Sequence, residues 1–185
     1  MSTTHWDFEP GHTEAGFRAR HMMVTYVSGF FKDVRGSAEI DFDDPRNSSF
    51  EATADTANLW TGEAARDEHL RSPDFFDVEK YPTLFFKSTS VEQLSETEFH
   101  VHAELTIKGI TNPVALDARF LGRWETPWWE GDEDKGPKTR LGIHASGSVN
   151  RHDWGVSWQS ALDMGGVVVS DNVDAIINAE LIRAD

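Results

Sequence analysis

The chain has 185 residues, no cysteine, and 32 acidic against 17 basic side chains, a formal charge of -15. That length suits one domain with one core. Such a negative surface repels nucleic acid and anionic membranes, and without cysteine there can be no disulfide, thiolate metal site or cysteine nucleophile.

From the N-terminus, Met1 to Pro10 shows no basic start and no apolar run of signal length, because His5, Asp7 and Glu9 interrupt Trp6 and Phe8. A cytoplasmic protein is expected on that ground. No window approaches the roughly eighteen apolar residues that a membrane-crossing helix needs, so no membrane span is expected. Trp6 and Phe8 predict a short first strand before the Pro10-Gly11 turn, and Phe17, Ala19 and His21 share one face of a second. Gly29 is expected to break the next segment. Ala38, Ile40 and Phe42 then alternate with polar neighbours until Asp43-Asp44-Pro45, and Phe50, Ala52, Ala54 and Thr56 form another apolar row.

The period changes in the middle of the chain. Residues 61 to 71 fit a short helix with Thr61 as its N-cap, and Ser72-Pro73-Asp74 predicts a second helix start, ended by Tyr81-Pro82. Leu84, Phe86 and Ser88 resume alternation. Four clear strand patterns follow: Phe99, Val101, Ala103, Leu105, Ile107; Val114, Leu116, Ala118, Phe120; Ile143, Ala145, Gly147, Val149; and Val173, Ala175, Ile177, Ala179, Leu181. Between them, residues 125 to 140 read as a solvated loop, with Pro127, Gly131, Gly136, Pro137 and the acids Glu130, Asp132, Glu133 and Asp134. Residues 150 to 171 read as a second irregular piece, with Gly165 and Gly166 in loop.

Many apolar positions hold alanine or glycine, too small to fill a core. Two architectures accommodate them on periodicity alone: a barrel of about eight strands with an open lumen, or a flattened sandwich whose faces approach closely.

Several strings occur in order along the chain: Phe17-x-x-x-His21; Arg66-Asp67-x-His69-Leu70-Arg71-Ser72-x-Asp74-Phe75-Phe76; Tyr81-Pro82-x-x-x-Phe86-Lys87-Ser88; Leu105-Thr106-Ile107-Lys108-Gly109-Ile110-Thr111; Asn150-Arg151-x-Asp153-Trp154-Gly155; and Ser170-Asp171-x-Val173. Together they resemble the YceI-like family of lipid-binding proteins, over Trp6 to Leu181. The resemblance implies an all-β fold in one domain, residues 1–185: an extended antiparallel lipocalin-like barrel with a short helical insertion. It also implies non-enzymatic binding, storage or transport of a long apolar lipid, a polyisoprenoid or polyisoprenoid quinone, with no other cofactor. Under this reading Phe17, Ala19, Phe42, Ala54, Phe86, Leu105, Phe120, Ile143, Ala145 and Ile177 are expected on the lumen wall, against the lipid.

Other constellations carry competing chemistry. Asp67 and His69 have the residue types of a general-base pair, although charged residues on a short helix more often cap or dock. Arg151 and Asp153 are expected to brace a turn, with Arg151 reaching Asp67 across the barrel end. His100 and His102 lie two apart on one strand face, so a metal site would need a third ligand such as His144; ordinary surface histidines are expected. Trp124, Trp128 and Trp129 leave three uses open: a sugar-stacking platform, which would make this a carbohydrate-binding module, a lid on the barrel, or a homodimer contact.

Overall fold

The computed structural model describes residues 3–184. Strands β1 (Thr4–Phe8) and β2 (Glu14–His21) both pair with the last strand, β11 (Val169–Arg183), through Phe8↔Leu181 in β1 and Ala175↔Phe17 in β2. They are one path with an interruption. At the break the buried Thr13 hydroxyl donates to the Glu180 carbonyl (3.1 Å) and accepts from the Glu180 N–H (3.2 Å), so the ladder stays satisfied. Strands β3 (Thr25–Phe31) and β4 (Arg35–Ile40) form the second path, against β2 and β1 in turn. Strands β5 (Ser49–Asp55) and β6 (Leu59–Trp60), separated by a 3-10 turn at Thr56–Asn58, form the third.

The remaining paths are β7 (Thr83–Gln93), β8 (Glu98–Ile107), β9 (Ile110–Glu130), β10 (Glu133–Asn150) and β11, each antiparallel to the one before it. Because β11 pairs with β10 on one edge and with β1 and β2 on the other, the sheet closes into an eight-stranded antiparallel barrel. Closure removes the free edges that a sandwich would keep. The alanines therefore line the inside of a barrel.

Local details depart from the period-two reading. Strand β3 runs through Gly29 without breaking: a Cβ there would sit 2.4 Å from Phe17 Cζ, so the missing side chain admits a ring from the neighbouring strand. In β7 the register shifts between Ser88 and Ser90. This bulge switches the inward phase from Leu84 and Phe86 to Val91 and Gln93. A second shift, between Gly142 and Ile143, turns Leu121 outward while Phe120 and Ile143 stay inside.

The stretch from 125 to 140 is not a loop. Strands β9 and β10 continue past the partners on their other edges, which end at Glu98 and Ile182, as a two-stranded ribbon joined by Gly131 and Asp132. Pro127 faces Pro137 there. Prolines are tolerated because each ribbon strand has one edge without a partner strand, where a missing N–H breaks no ladder. At the tip Glu130 faces Glu133, and Lys135 Nζ lies 3.8 Å and 2.6 Å from their carboxylates, offsetting the repulsion.

The helical insertion is one helix, α1 (Ala64–Arg71). Glu63, not Thr61, is its N-cap, accepting from the N–H groups of Ala65 and Arg66. Ser72-Pro73 starts no second helix. The N–H groups of Phe75 and Asp77 both bond the Ser72 carbonyl (3.1 and 2.9 Å), and the left-handed Asp77 (φ 50) stops propagation, leaving turns down to Tyr81.

Candidate functional site

A cavity of about 520 Å³ runs through the barrel. All ten residues expected on the lumen wall line it: Phe17, Ala19, Phe42, Ala54, Phe86, Leu105, Phe120, Ile143, Ala145 and Ile177. They come from β2, β5, β7, β8, β9, β10 and β11 and, for Phe42, from the loop after β4. Sequence periodicity missed Phe76, which arrives from the turns after α1, and Trp154, from the 3-10 turn Arg151–Trp154. Neither segment alternates, so no local signal pointed inward. The long middle of the wall is hydrocarbon; Ala54 and Ala145, both buried, sit where larger side chains would project into the space.

Polar groups collect at the ends. At one end the lining includes Asp41, Ser48, Gln93, Glu96 and Arg119 together with the ring of Phe42, which is 40% exposed. Exposed lining marks this end as open to solvent. Phe42 packs edge-on to Trp6 and Phe120, and the Arg123 guanidinium lies 4.4 Å from its ring centre. Asp41 anchors the loop that carries Phe42. Its buried carboxylate accepts from the N–H groups of Asp43 and Asp44 (both 3.0 Å) and from the Asn47 amide (3.2 Å). The Asp44 N–H first, then the Asn47 amide, hold its carboxyl below the usual carboxylate range.

At the other end the buried Phe75, Trp154 and Val156 form a plug, with Leu70 and Phe76 packed on it. Trp154 donates from its indole to the Leu105 carbonyl (2.9 Å), fixing the plug to the barrel wall. Arg151, only 6% exposed, does not reach Asp67. Its guanidinium donates to the carbonyls of Ser170 (2.9 Å), Val156 (2.6 Å), Trp158 (2.9 Å) and Val169 (3.4 Å), tying the irregular 155–168 segment to the start of β11. Burial pushes its ionisation below the ordinary arginine value, partly offset by Asp171. Asp153 uses its carbonyl, which accepts from the Asn112 amide (2.8 Å).

The supposed base pair is not assembled. Asp67 is buried and accepts from the Thr61 N–H and hydroxyl, whereas His69 Nε2 pairs with Asp74 (2.9 Å) and its ring packs edge-on against Phe75 and Trp158. Ser72 donates its hydroxyl to the His69 carbonyl (2.7 Å), a capping contact. His100 and His102 do meet, edge to face with ring centres 5.1 Å apart, and His100 pairs with Asp117 (2.7 Å), but His144 pairs with Asn178 instead. Among the described residues no three His, Cys, Asp or Glu groups converge on a metal position.

Nor do the three tryptophans share one flat surface. Trp124 and Trp129, five apart on β9, face opposite sides of the ribbon, and Trp128 packs under the Arg140 guanidinium at 5.0 Å. Gly122 (φ 135) has its Cβ position filled by the Trp124 ring, 2.1 Å away, so that indole lies flat along the ribbon.

Residues 6–181 match the family described as YceI-like domain. The chain belongs to the YceI-like family. It is 34% identical over 177 residues to Protein YceI of Escherichia coli O157:H7, covering 96% of this chain and 85% of that one. Among solved structures it resembles the Campylobacter jejuni YCEI protein, with a TM-score of 0.74, 24% identity and 90% of each chain covered. It also resembles a polyisoprenoid binding domain from Saccharophagus degradans, with a TM-score of 0.66 and 12% identity over 97% of this chain and 98% of that one. These structural likenesses establish the barrel, and YceI-like membership supports a binding role.

Proposed function

We propose that this protein binds a long apolar lipid, a polyisoprenoid or polyisoprenoid quinone, in the barrel lumen, and stores or carries it without catalysing a reaction. The observation behind this reading is the largely hydrocarbon wall of the cavity, with Asp41, Gln93, Glu96 and Arg119 gathered at one end. A wall without donors or acceptors penalises any polar ligand segment by the full cost of its lost water contacts. An apolar chain gains about 0.8 kcal/mol for each methylene transferred out of water. Roughly ten buried carbons then offer about 8 kcal/mol, the scale of micromolar affinity before ordering costs. The polar rim at Asp41, Gln93, Glu96 and Arg119 suits a small head group left near solvent. The name of the Saccharophagus degradans neighbour supports the choice of polyisoprenoid over other long chains.

Intact mass measurement under native conditions, followed by organic extraction, tests the proposal. The expected result is a protein mass above that of the bare chain and an extract containing a lipid with isoprenoid repeats. A bare mass from every preparation would overturn it.

A further inference from the structure

The turn between β2 and β3 is built against its own chemistry. Met22 and Met23 both take left-handed backbone conformations, φ 48 and φ 62, and the Val24 N–H closes the turn on the His21 carbonyl at 3.1 Å. This β-turn sits inside a three-residue connection, Met22 to Val24, and a turn whose two central residues both have positive φ favours Asn-Gly, so long side chains there strain the backbone. The structure over-determines the turn. Arg20 donates from Nε (3.1 Å) and Nη2 (2.8 Å) to the Met23 carbonyl, while the Met22 N–H reaches the Val168 carbonyl at 2.8 Å.

What this strain holds in place is an apolar tip. Val24 is 82% exposed and both methionines are close to half exposed. A second turn, from Leu162 to Gly166, lies alongside: a Cβ on Gly166 would approach Met23 Cγ to 3.0 Å, and Met164 at its apex is fully exposed. Strained backbone that presents unpartnered apolar groups is the signature of a site kept for contact.

We infer that these two tips seat the barrel on an uncharged phospholipid bilayer. The order of side chains behind the tip favours a bilayer over a protein groove. Flexible apolar groups lead, and two residues back comes the exposed Tyr26, with the Arg18 guanidinium, itself paired with Asp174 at 2.8 Å, 4.7 Å from its ring centre and the exposed Arg20 beside it. Apolar, then aromatic, then cationic is the depth profile of a membrane interface. The position is at the plugged end of the barrel, where Ala19 and Val169, immediately behind the two tips, line the cavity. This rests on the proposed lipid-binding function, since a carrier of apolar cargo must meet the bilayer that supplies or receives it. The charge of -15 selects uncharged over anionic surfaces.

Flotation with protein-free phosphatidylcholine vesicles tests the inference. The parent protein is expected to float with the vesicles, and less so as phosphatidylglycerol is added. Met22→Asn combined with Met23→Gly, which gives the turn the residues its geometry prefers, is expected to lower vesicle partitioning by about tenfold, as loss of two apolar contacts implies. The same variant is expected to melt no lower than the parent. Failure of the parent to float, as when the tips serve a protein partner instead, would overturn the inference, as would equal flotation of the variant or stronger binding to anionic vesicles. The mass of co-purified lipid is a separate readout: a variant that keeps its cargo but loses vesicles supports the tips, and an absent cargo bears only on the lumen.

Discussion

Thr61 and Asp67 meet twice at one oxygen: the Thr61 N–H, at 2.9 Å, and the Thr61 hydroxyl both donate to Asp67 Oδ1. Arg66 completes the knot, donating from Nε to the Thr61 hydroxyl (2.7 Å) and from Nη2 to the Thr61 carbonyl (2.9 Å). The buried carboxylate thus stitches α1 to the end of β6 and is turned away from His69. Asp67→Ala is expected to lower unfolding stability by about 2 kcal/mol, because it leaves the part-buried Thr61 N–H and hydroxyl without their acceptor. His69→Gln removes a half-exposed pair and the edge-on ring contacts with Phe75 and Trp158, and is expected to cost less than Asp67→Ala, about 1 kcal/mol. Denaturant titration of both variants decides; equal losses would contradict the assignment.

Ala145 lies on the inward phase of β10, opposite Ala118 and Ile177, and lines the cavity. Enlarging a side chain in a filled core costs about 1–3 kcal/mol, whereas enlarging one into a void need not. Ala145→Phe is expected to fold with near-parental stability and to retain much less lipid on extraction. Ser146→Phe, on the opposite phase, is expected to keep its lipid. Unfolding of Ala145→Phe, or parental lipid content in it, would show that the void does not reach this position.

The Asp41 loop predicts a response to acid. Its carboxyl ionises more readily when folded than when unfolded, held down by the Asp44 N–H and the Asn47 amide. The unfolded chain therefore binds the proton first, and this contribution to stability is present above the unfolded value of about 3.9 and lost as pH falls through the lower folded value. Below about pH 4, protection of the Asp43 and Asp44 amides from hydrogen exchange, relative to the intrinsic rate at the same pH, is expected to fall before protection in the barrel strands does. Asp41→Asn is expected to show the fast exchange already at neutral pH.

Arg151 is expected to be a strong structural determinant despite pairing with no carboxylate. Its guanidinium bonds four carbonyls of the Val156–Ser170 region, so Arg151→Met takes the donor from the buried Val156 carbonyl and from part-buried ones at Trp158 and Ser170. A loss of about 2–4 kcal/mol is expected. Arg151→Lys, which lacks the planar fork, is expected to recover only part of it in thermal melts.

Alternation along single strands was enough to put Phe17, Ala54, Leu105 and Ala145 on the dry face of their own strands, because the side-chain period of a strand is a local property of its backbone, while the family resemblance set those faces around one lumen. The ordered strings shared with YceI-like proteins, spread from Phe17 to Val173, identified the barrel. What lay beyond local reading depends on which strands meet and where a residue is inserted. The bulge near Ser88 moves the inward phase to Val91, and only its pairing with β8 defines it. The ribbon from Glu125 to Arg140 is a hairpin because its two halves pair across Gly131-Asp132, which outweighs the discouragement of Pro127 and Pro137. Asp67, His69 and Arg151 had the right residue types for chemistry, yet their partners were chosen by the packing of α1 and the 155–168 segment over the barrel end. Composition and periodicity could select the dry face and the small residues on it; the depth of the cavity, its plug and its polar rim exist only once eight distant segments have closed on one another.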